Sequence, residues 1–588
     1  MSIEINTSNN NQEAPNKDLP TNVISEEQLA LLPDKYLSDD PKRPLLLTSV
    51  TGEKYKYALR PVFYSVMSIL VIECLERLAY YGVNNTETEF LTGSYNPLWN
   101  ANMTSVSAVS YTSASVAIAY TAPFIGGIVA DGFLGDYWSI IVGVGIFYIP
   151  GLLLIALTTF PGLLGATFNT KALSAGLLAL MPIGTGFIKS IVNVFGAKQF
   201  HPLLQAAQVE SYYVNFYVAI NIGALVGGIV IPIVAQHSME IAYLIPLISV
   251  CIGFAIFLIF SKRFVKRAPE KTALFNTLKL VAKKTTCKHF DDSKVSNGGN
   301  LTDDFVDGVK RLLQIIPVAL LVLPFNIVYS QMTTVFILQG QAMQTIGVFD
   351  ASMMNNFDCL SVLITGVVTG SFLYPALEKR GISIPLTYRF AIGNAFAALS
   401  IISALLVDNA IRRGYLNDKS QIAIFWQITN YAFVGVGEIF AVSTVYEAAF
   451  TIAPKEQKSL ASAIQLFLGN GLASYICIGL SQACKSWFPV NPEHASSIQR
   501  TEAYVNSELQ NYLWVLFGIA IFGALLNILP PIKNWAERLR SDALDATALD
   551  LSNDGVSSSS FDEDAEEKTT NSSNEDGDES NLEDIEIY

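Results

Sequence analysis

What most constrains this chain is a series of twelve apolar stretches, each close to the roughly twenty residues a helix needs to cross the hydrocarbon layer of a bilayer. They run over 61–85, 107–130, 138–160, 172–195, 212–236, 241–260, 312–338, 358–377, 384–407, 421–447, 460–484 and 512–532. Of the 588 residues 51% are hydrophobic and only 15% charged, too apolar for a water-soluble protein of this length. The expected fold class is an all-α membrane protein. The longest interior hydrophilic segment, 261–311, follows the sixth stretch and leaves two halves of six helices. The expected domains are an N-terminal tail over 1–60, a six-helix bundle over 61–260, a linker over 261–311, a second bundle over 312–532 and a tail over 533–588. The first sixty residues hold no short apolar core followed by small residues, so no cleavable secretory signal is expected and the first membrane helix directs insertion itself.

Lys and Arg decide orientation, because the side that keeps them is cytoplasmic. Segment 261–311 holds twelve of them and the 86–106 and 347–357 loops hold none. Both termini and the linker are therefore expected in the cytoplasm, against the minority signal of Arg412, Arg413 and Lys419. The formal charge of −14 is concentrated in 541–588, where sixteen Asp and Glu accompany one Lys. With almost nothing apolar to bury, that tail is expected to be disordered. Its serines 557–560, beside acids, are either phosphorylation sites or part of a solvated terminus. Asn102-Met103-Thr104 falls in an outer loop and makes Asn102 a candidate glycosylation site, although such tripeptides also arise by chance. Cys74, Cys251, Cys359 and Cys477 lie in or beside apolar runs and read as small core residues rather than bridges or metal ligands.

An ionisable side chain at mid-bilayer depth costs on the order of 3 kcal/mol, so each one that persists must meet a partner or a wet cavity. Helix 1 reads Glu73-Cys74-Leu75-Glu76-Arg77-Leu78-Ala79-Tyr80-Tyr81-Gly82, and the 3/4 spacing puts Glu73, Glu76 or Arg77, and Tyr80 on one stripe. Two acids sharing one Arg should titrate as a coupled unit. Helix 4 carries Lys189 and helix 10 carries Glu438, a cation and an anion from opposite halves left for a ligand. A structural ion pair between Lys189 and a helix 1 acid competes with that reading, as does a structural role for Glu438. Arg389 and Glu447 read as gate or packing ion pairs. Asp358 opens helix 8 and is either a site residue or a helix N-cap.

These residues resemble the proton-dependent oligopeptide transporter family of the major facilitator superfamily. The helix 1 string is similar to that family's Glu-x-x-Glu-Arg-Phe-x-Tyr-Tyr-Gly signature, with Leu78 in place of Phe. Phe216-Tyr217-Val218-Ala219-Ile220-Asn221-Ile222-Gly223 resembles its helix 5 signature, and Gly126-Gly127-Ile128-Val129-Ala130-Asp131-Gly132 the superfamily's loop between helices 2 and 3. Glu438, Glu447-Ala448-Ala449-Phe450 and Ala453-Pro454 follow the family's helix 10 to 11 pattern, and Tyr329, Gln331 and Met332 look most like fungal members. The resemblance spans roughly 55–535 and implies the major facilitator fold. It implies that Glu73, Glu76 and Arg77 couple proton movement, and that Lys189 and Arg77 attract a peptide carboxylate. It further implies that Glu438 faces the amino group, that Asn221 helps hold the backbone and that Tyr81 lines the pocket. Gln331 and Asp358 are further substrate candidates. Three positions depart from the family. Asp136 stands where relatives place a base, Lys198 where they place an acid, and Ser330 where bacterial relatives often have an acid. The loop charges are either swapped or re-paired, and proton coupling is expected to rest on helix 1.

The implied function is proton-coupled import of di- and tripeptides by alternating access, by a monomer in the plasma membrane. Its partners are small peptides, protons and the lipid bilayer. No cofactor, metal or nucleic acid is expected. A carrier of another small nitrogenous solute and a non-transporting peptide sensor are the alternatives. An enzyme is disfavoured because His201, His237, His289 and His494 lie in loops without metal or triad partners.

Overall fold

The computed structural model describes residues 29, 32–49, 52–202, 204–269, 276–277, 279–281, 290–382, 384–453, 458–492 and 494–542. The serines at 557–560, and the acidic tail from 543 onward, lie outside them.

Eight helical segments are long and apolar enough to cross a bilayer. One of them, Ser105–Thr159, spans 55 residues and turns at Gly135, whose φ of 74° a residue with a Cβ rarely adopts; it supplies α2 (Ser105–Val129) and α3 (from Gly135). The others are α4 (Thr170–Ala197), α5 (Ala206–Ala235), α6 (Met239–Ile259), α9 (Leu386–Asp418), α10 (Ile428–Ile452), α11 (Leu460–Ala483) and α12 (Leu509–Ile528). Three elements fail a test of length and composition for identifiable reasons. Helix α1 (Met67–Leu91) carries Glu73, Glu76, Arg77, Glu87 and Glu89, and α8 (Asn356–Val368) is short. Helix α7 is broken into Asp303–Leu321 and Leu323–Tyr329 at an angle of 51°. The result is consistent with twelve stretches. Two separate hydrophobic cores form, one from residues of 66–264 and one from residues of 312–539 joined by Val109 of the first half, with Val106 packed against it.

Three expectations change. The seventh stretch is not one helix over 312–338: Pro324 has no N–H to donate, so the helix bends there, and its N-terminal part begins at Asp303, inside the expected linker. The C-terminal tail does not become irregular at 533. Residues 530–542 are helical because Ala536 and Leu539 are buried, Arg540 reaches Glu447 at 3.0 Å and Glu537 accepts from the Leu386 N–H at 3.0 Å. The N-terminal tail holds a hairpin of β1 (Leu45–Thr48) and β2 (Lys54–Tyr57), whose Leu45 and Tyr57 pack on Val265. It is tied to the α4–α5 connection through Leu46 O, which faces His201 Nε2 at 3.2 Å.

Six crossings return each half to the side on which it began. We call the side carrying the chain termini the terminal end and the opposite side the distal end.

Candidate functional site

The site grows from α1. Arg77 Nε lies 2.7 Å from Glu73 Oε1, one turn back, and 3.0 Å from Glu76 Oε2. All three side chains are buried, so the guanidinium is what makes two carboxylates tolerable there. Thr185 of α4 donates to Glu76 Oε1 at 2.7 Å, while Glu73 Oε2 has no hydrogen-bond partner.

Lys189 comes from α4, one turn beyond Thr185. Its Nζ has no hydrogen-bond partner and makes no ion pair among the described residues; instead it sits 3.8 Å from the ring centre of Tyr80 and 4.0 Å from that of Tyr120. A desolvated cation over an aromatic face gains about 2 kcal/mol, so the two rings hold the ammonium without consuming its three donors. The competing reading, a structural ion pair with a helix 1 acid, is therefore not the contact observed. The acids still act on Lys189 through space, and the four groups Glu73, Glu76, Arg77 and Lys189 balance in charge.

Across the interface, Glu438 of α10 is half-buried and has no ion-pair partner among the described residues. Tyr120, Tyr217, Tyr329 and Tyr446 all lie within reach of its charge. Asp358 faces the same region from α8. It is not an N-cap: the N-cap position belongs to Asn355, and Asp358 Oδ1 is buried without a hydrogen bond, close against Gly435. The two acids of this half thus stand opposite the charge-balanced cluster of the other.

One candidate packs away from the chamber and another spends its donor on its own helix. Gln331 is fully buried and bonds Ile327 O at 2.7 Å and Cys477 Sγ at 3.3 Å, so it packs α7 on α11 instead of facing the cavity. Asn221 donates to Tyr217 O of its own helix at 2.8 Å. Tyr81, in contrast, lines a chamber between the halves, next to Tyr80, Asn84, Tyr120, Ser330 and Asn470. Tyr120 and Thr185 carry no charge and no rare residue type, so no sequence signal marks them. Asn102 is exposed, with φ 48°, at the distal end.

Hydrogen bonds joining the two halves gather toward the distal end. Thr88 donates to Thr333 O at 2.6 Å, Gln341 to Thr92 at 2.9 Å and Asn355 to Asn85 at 3.1 Å. Asp350 accepts from Tyr95 at 3.0 Å and from Gln236 at 2.9 Å, and the Ser352 N–H reaches Glu89 at 3.2 Å. Burial pushes the Asp350 carboxyl above its ordinary range. At the terminal end, Asp136 and Lys198 pair at 2.8 Å, so the two departures there meet each other. Arg389 pairs with Glu447 at 2.8 Å.

Compared with known proteins, residues 137–494 match the model of a family described as PTR2, POT family. Protein NRT1/ PTR FAMILY 8.1 of Arabidopsis thaliana is 28% identical over 506 residues, covering 72% of this chain and 87% of its own. Peptide transporter PTR2 of Saccharomyces cerevisiae is 26% identical over 521 residues, covering 80% and 85%. The probable peptide transporter ptr2 of Schizosaccharomyces pombe is 28% identical over 462 residues, covering 72% and 73%. Among solved structures, an auto-inhibited POT family peptide transporter aligns with a TM-score of 0.62 at 22% identity over 79% of this chain and 95% of its own. The POT family transporter PepTSo aligns with a TM-score of 0.63 at 21% identity over 81% and 98%. At such identities the structural likeness establishes the fold.

Proposed function

The chain belongs to the POT family, and on that premise we propose that it is a proton-coupled symporter importing di- and tripeptides by alternating access. Members of this family are membrane transporters, not enzymes. One observation carries the reading: Arg77 is shared by two buried carboxylates beside Lys189, a cation whose hydrogen-bond donors are unspent, with Glu438 on the opposite half. A peptide is a zwitterion of variable side chain, so a carrier of many peptides grips the two constant ends by charge. Lys189 and Arg77 take the carboxylate, and Glu438, with Asp358 behind it, takes the amino group. Charge-assisted hydrogen bonds of this kind are the strong ones. Tyr81 lines the space between, and Asn221 joins the peptide backbone once it gives up its intrahelical bond.

Protonation of Glu73 or Glu76 loosens its hold on Arg77 and frees the guanidinium for the peptide carboxylate. Loss of the proton on the terminal side restores the pair and weakens binding. Each positive charge entering an inside-negative cell gains about 2.3 kcal/mol per 100 mV, and each pH unit adds about 1.4 kcal/mol. In this scheme the terminal end faces the cytoplasm, as the Lys and Arg of 261–311 require, and the exposed Asn102 lies outside. The protein acts as a monomer in the plasma membrane. The fungal relatives named as peptide transporters support the choice of substrate.

Uptake of labelled Ala-Ala into proteoliposomes, with and without an inward proton gradient, tests the proposal. Uphill accumulation that an uncoupler abolishes is expected, with Glu73→Gln and Glu76→Gln each losing the uphill component. Full accumulation by both variants would remove helix 1 from the coupling scheme.

A further inference from the structure

The charged cluster and the chamber share Tyr80 and Tyr120 but differ in chemistry. On the distal side of these tyrosines, the described residues that line the space include no Asp, Glu, Lys or Arg, and Val116 and Met332 are the only aliphatic side chains among them. Carboxamides and hydroxyls from both halves make up most of the rest. Several have capacity to spare. Among the described residues, Ser113 Oγ and Asn355 Oδ1 are buried without a hydrogen-bond partner, and the carboxamides of Asn84 and Asn470 have none either. Ser330 and Ser474 turn their hydroxyl protons to their own helices, at 2.8 and 2.9 Å, and leave oxygen lone pairs free to accept. Such a wall is satisfied by water when empty, and an entering side chain must replace that water's hydrogen bonds or leave the wall unpaired.

We propose that this chamber is a side-chain subsite selecting peptides whose residue next to the carboxylate carries an uncharged hydrogen-bonding group, a carboxamide or hydroxyl, over aliphatic or charged ones of similar size. The inference rests on the peptide-carrier reading above. Geometry places the subsite correctly for it. Asn84 lies seven residues beyond Arg77 on α1, about 10 Å along the helix, within the reach of one residue and its side chain from a carboxylate held at Arg77 and Lys189. An aliphatic side chain there would strand Asn84, Asn470, Ser113 and Asn355 without partners. A charged side chain would find no counter-ion in the wall, since Lys189 behind Tyr80 and Tyr120 is taken by the peptide carboxylate, and an unpaired buried charge is worse still. A carboxamide can donate and accept at once and so answers both kinds of wall group. Asn and Leu have nearly the same shape, which makes them a clean comparison.

The test measures inhibition of labelled Ala-Ala uptake by unlabelled Ala-Asn, Ala-Leu and Ala-Asp in proteoliposomes of the full chain. Ala-Asn is expected to compete about ten-fold better than Ala-Leu, about the net worth of one hydrogen bond, and Ala-Asp to compete worst. In Asn470→Leu, and in the milder Ser474→Ala, the ratio of the two half-inhibitory concentrations should shift toward Ala-Leu; a ratio taken within each variant is independent of how much protein inserts. Equal competition by Ala-Asn and Ala-Leu in the unaltered protein, with Ala-Ala still accumulated, overturns the subsite and leaves the peptide-carrier reading standing. No uptake of Ala-Ala or of any dipeptide overturns both.

Discussion

Asp136 and Lys198 carry signs opposite to those the family resemblance leads one to expect, yet they meet at 2.8 Å. The ion pair is a property of the couple, so exchanging both residues preserves it and changing one destroys it. With the Asp136 side chain 10% and that of Lys198 31% exposed, the pair contributes about 1 kcal/mol, and a like-charge couple costs a similar amount. Asp136→Lys alone should therefore slow peptide uptake several-fold, and Asp136→Lys with Lys198→Asp should return it to within about two-fold, measured as initial rates at matched protein. The residues legible from sequence were those that violate the solvent: Glu73, Glu76, Arg77, Lys189 and Glu438 stand out because lipid penalises charge. Tyr120, which helps hold Lys189, and Thr185, which holds Glu76, are ordinary residues of apolar helices, and only the packing of α2 and α4 on α1 gives them a role.

Helices α1 and α5 meet along a seam where backbone touches backbone. A Cβ on Gly223 would lie 2.3 Å from Cys74 O, and one on Gly227 2.3 Å from Leu78 O, whereas one on Gly127 would meet nothing within 4 Å. Both close contacts are to main chain, which cannot swing aside, so the helices themselves would have to part. Gly223→Ala and Gly227→Ala should each cost about 1–3 kcal/mol or more and lower the melting temperature in detergent, with Gly127→Ala leaving it unchanged. All three glycines look alike in the sequence, since small residues of a membrane helix face neighbours and lipid alike. The break in α7 was partly legible, through Pro324. The extension over 530–542 was not, because its hold depends on Leu386, Glu447 and a buried Leu539 that are distant in sequence.

At the scale of the molecule, the distal bonds decide which side of the bundle is sealed. Asp350 is faced there by Tyr95, Gln236 and the Met353 N–H, with Glu89, which accepts from the Ser352 N–H, and Arg500 nearby. Its carboxyl is raised by burial in the sealed arrangement, and exposure would return it to the ordinary range near 4. A group whose proton affinity is higher in one state favours that state at low pH, so acid strengthens the seal and rising pH weakens it. Hydrogen exchange of 348–355, corrected for the intrinsic rate, should show protection increasing as pH falls, and Asp350→Asn, which copies the neutral form, should be well protected throughout. A protection that falls with acid would contradict the seal's assignment. The sequence by itself pointed to a helical membrane protein and to its buried charged residues, because both follow from the cost of placing polar groups in lipid. Only the tertiary structure decided that Lys189 rests on two rings and not on a carboxylate, that Gln331 packs away from the cavity, that Asp358 is no cap, and that the chamber beyond Tyr80 is polar yet uncharged. Those are relations between helices far apart in the chain, and helix periodicity says which residues share a face without saying what that face will meet.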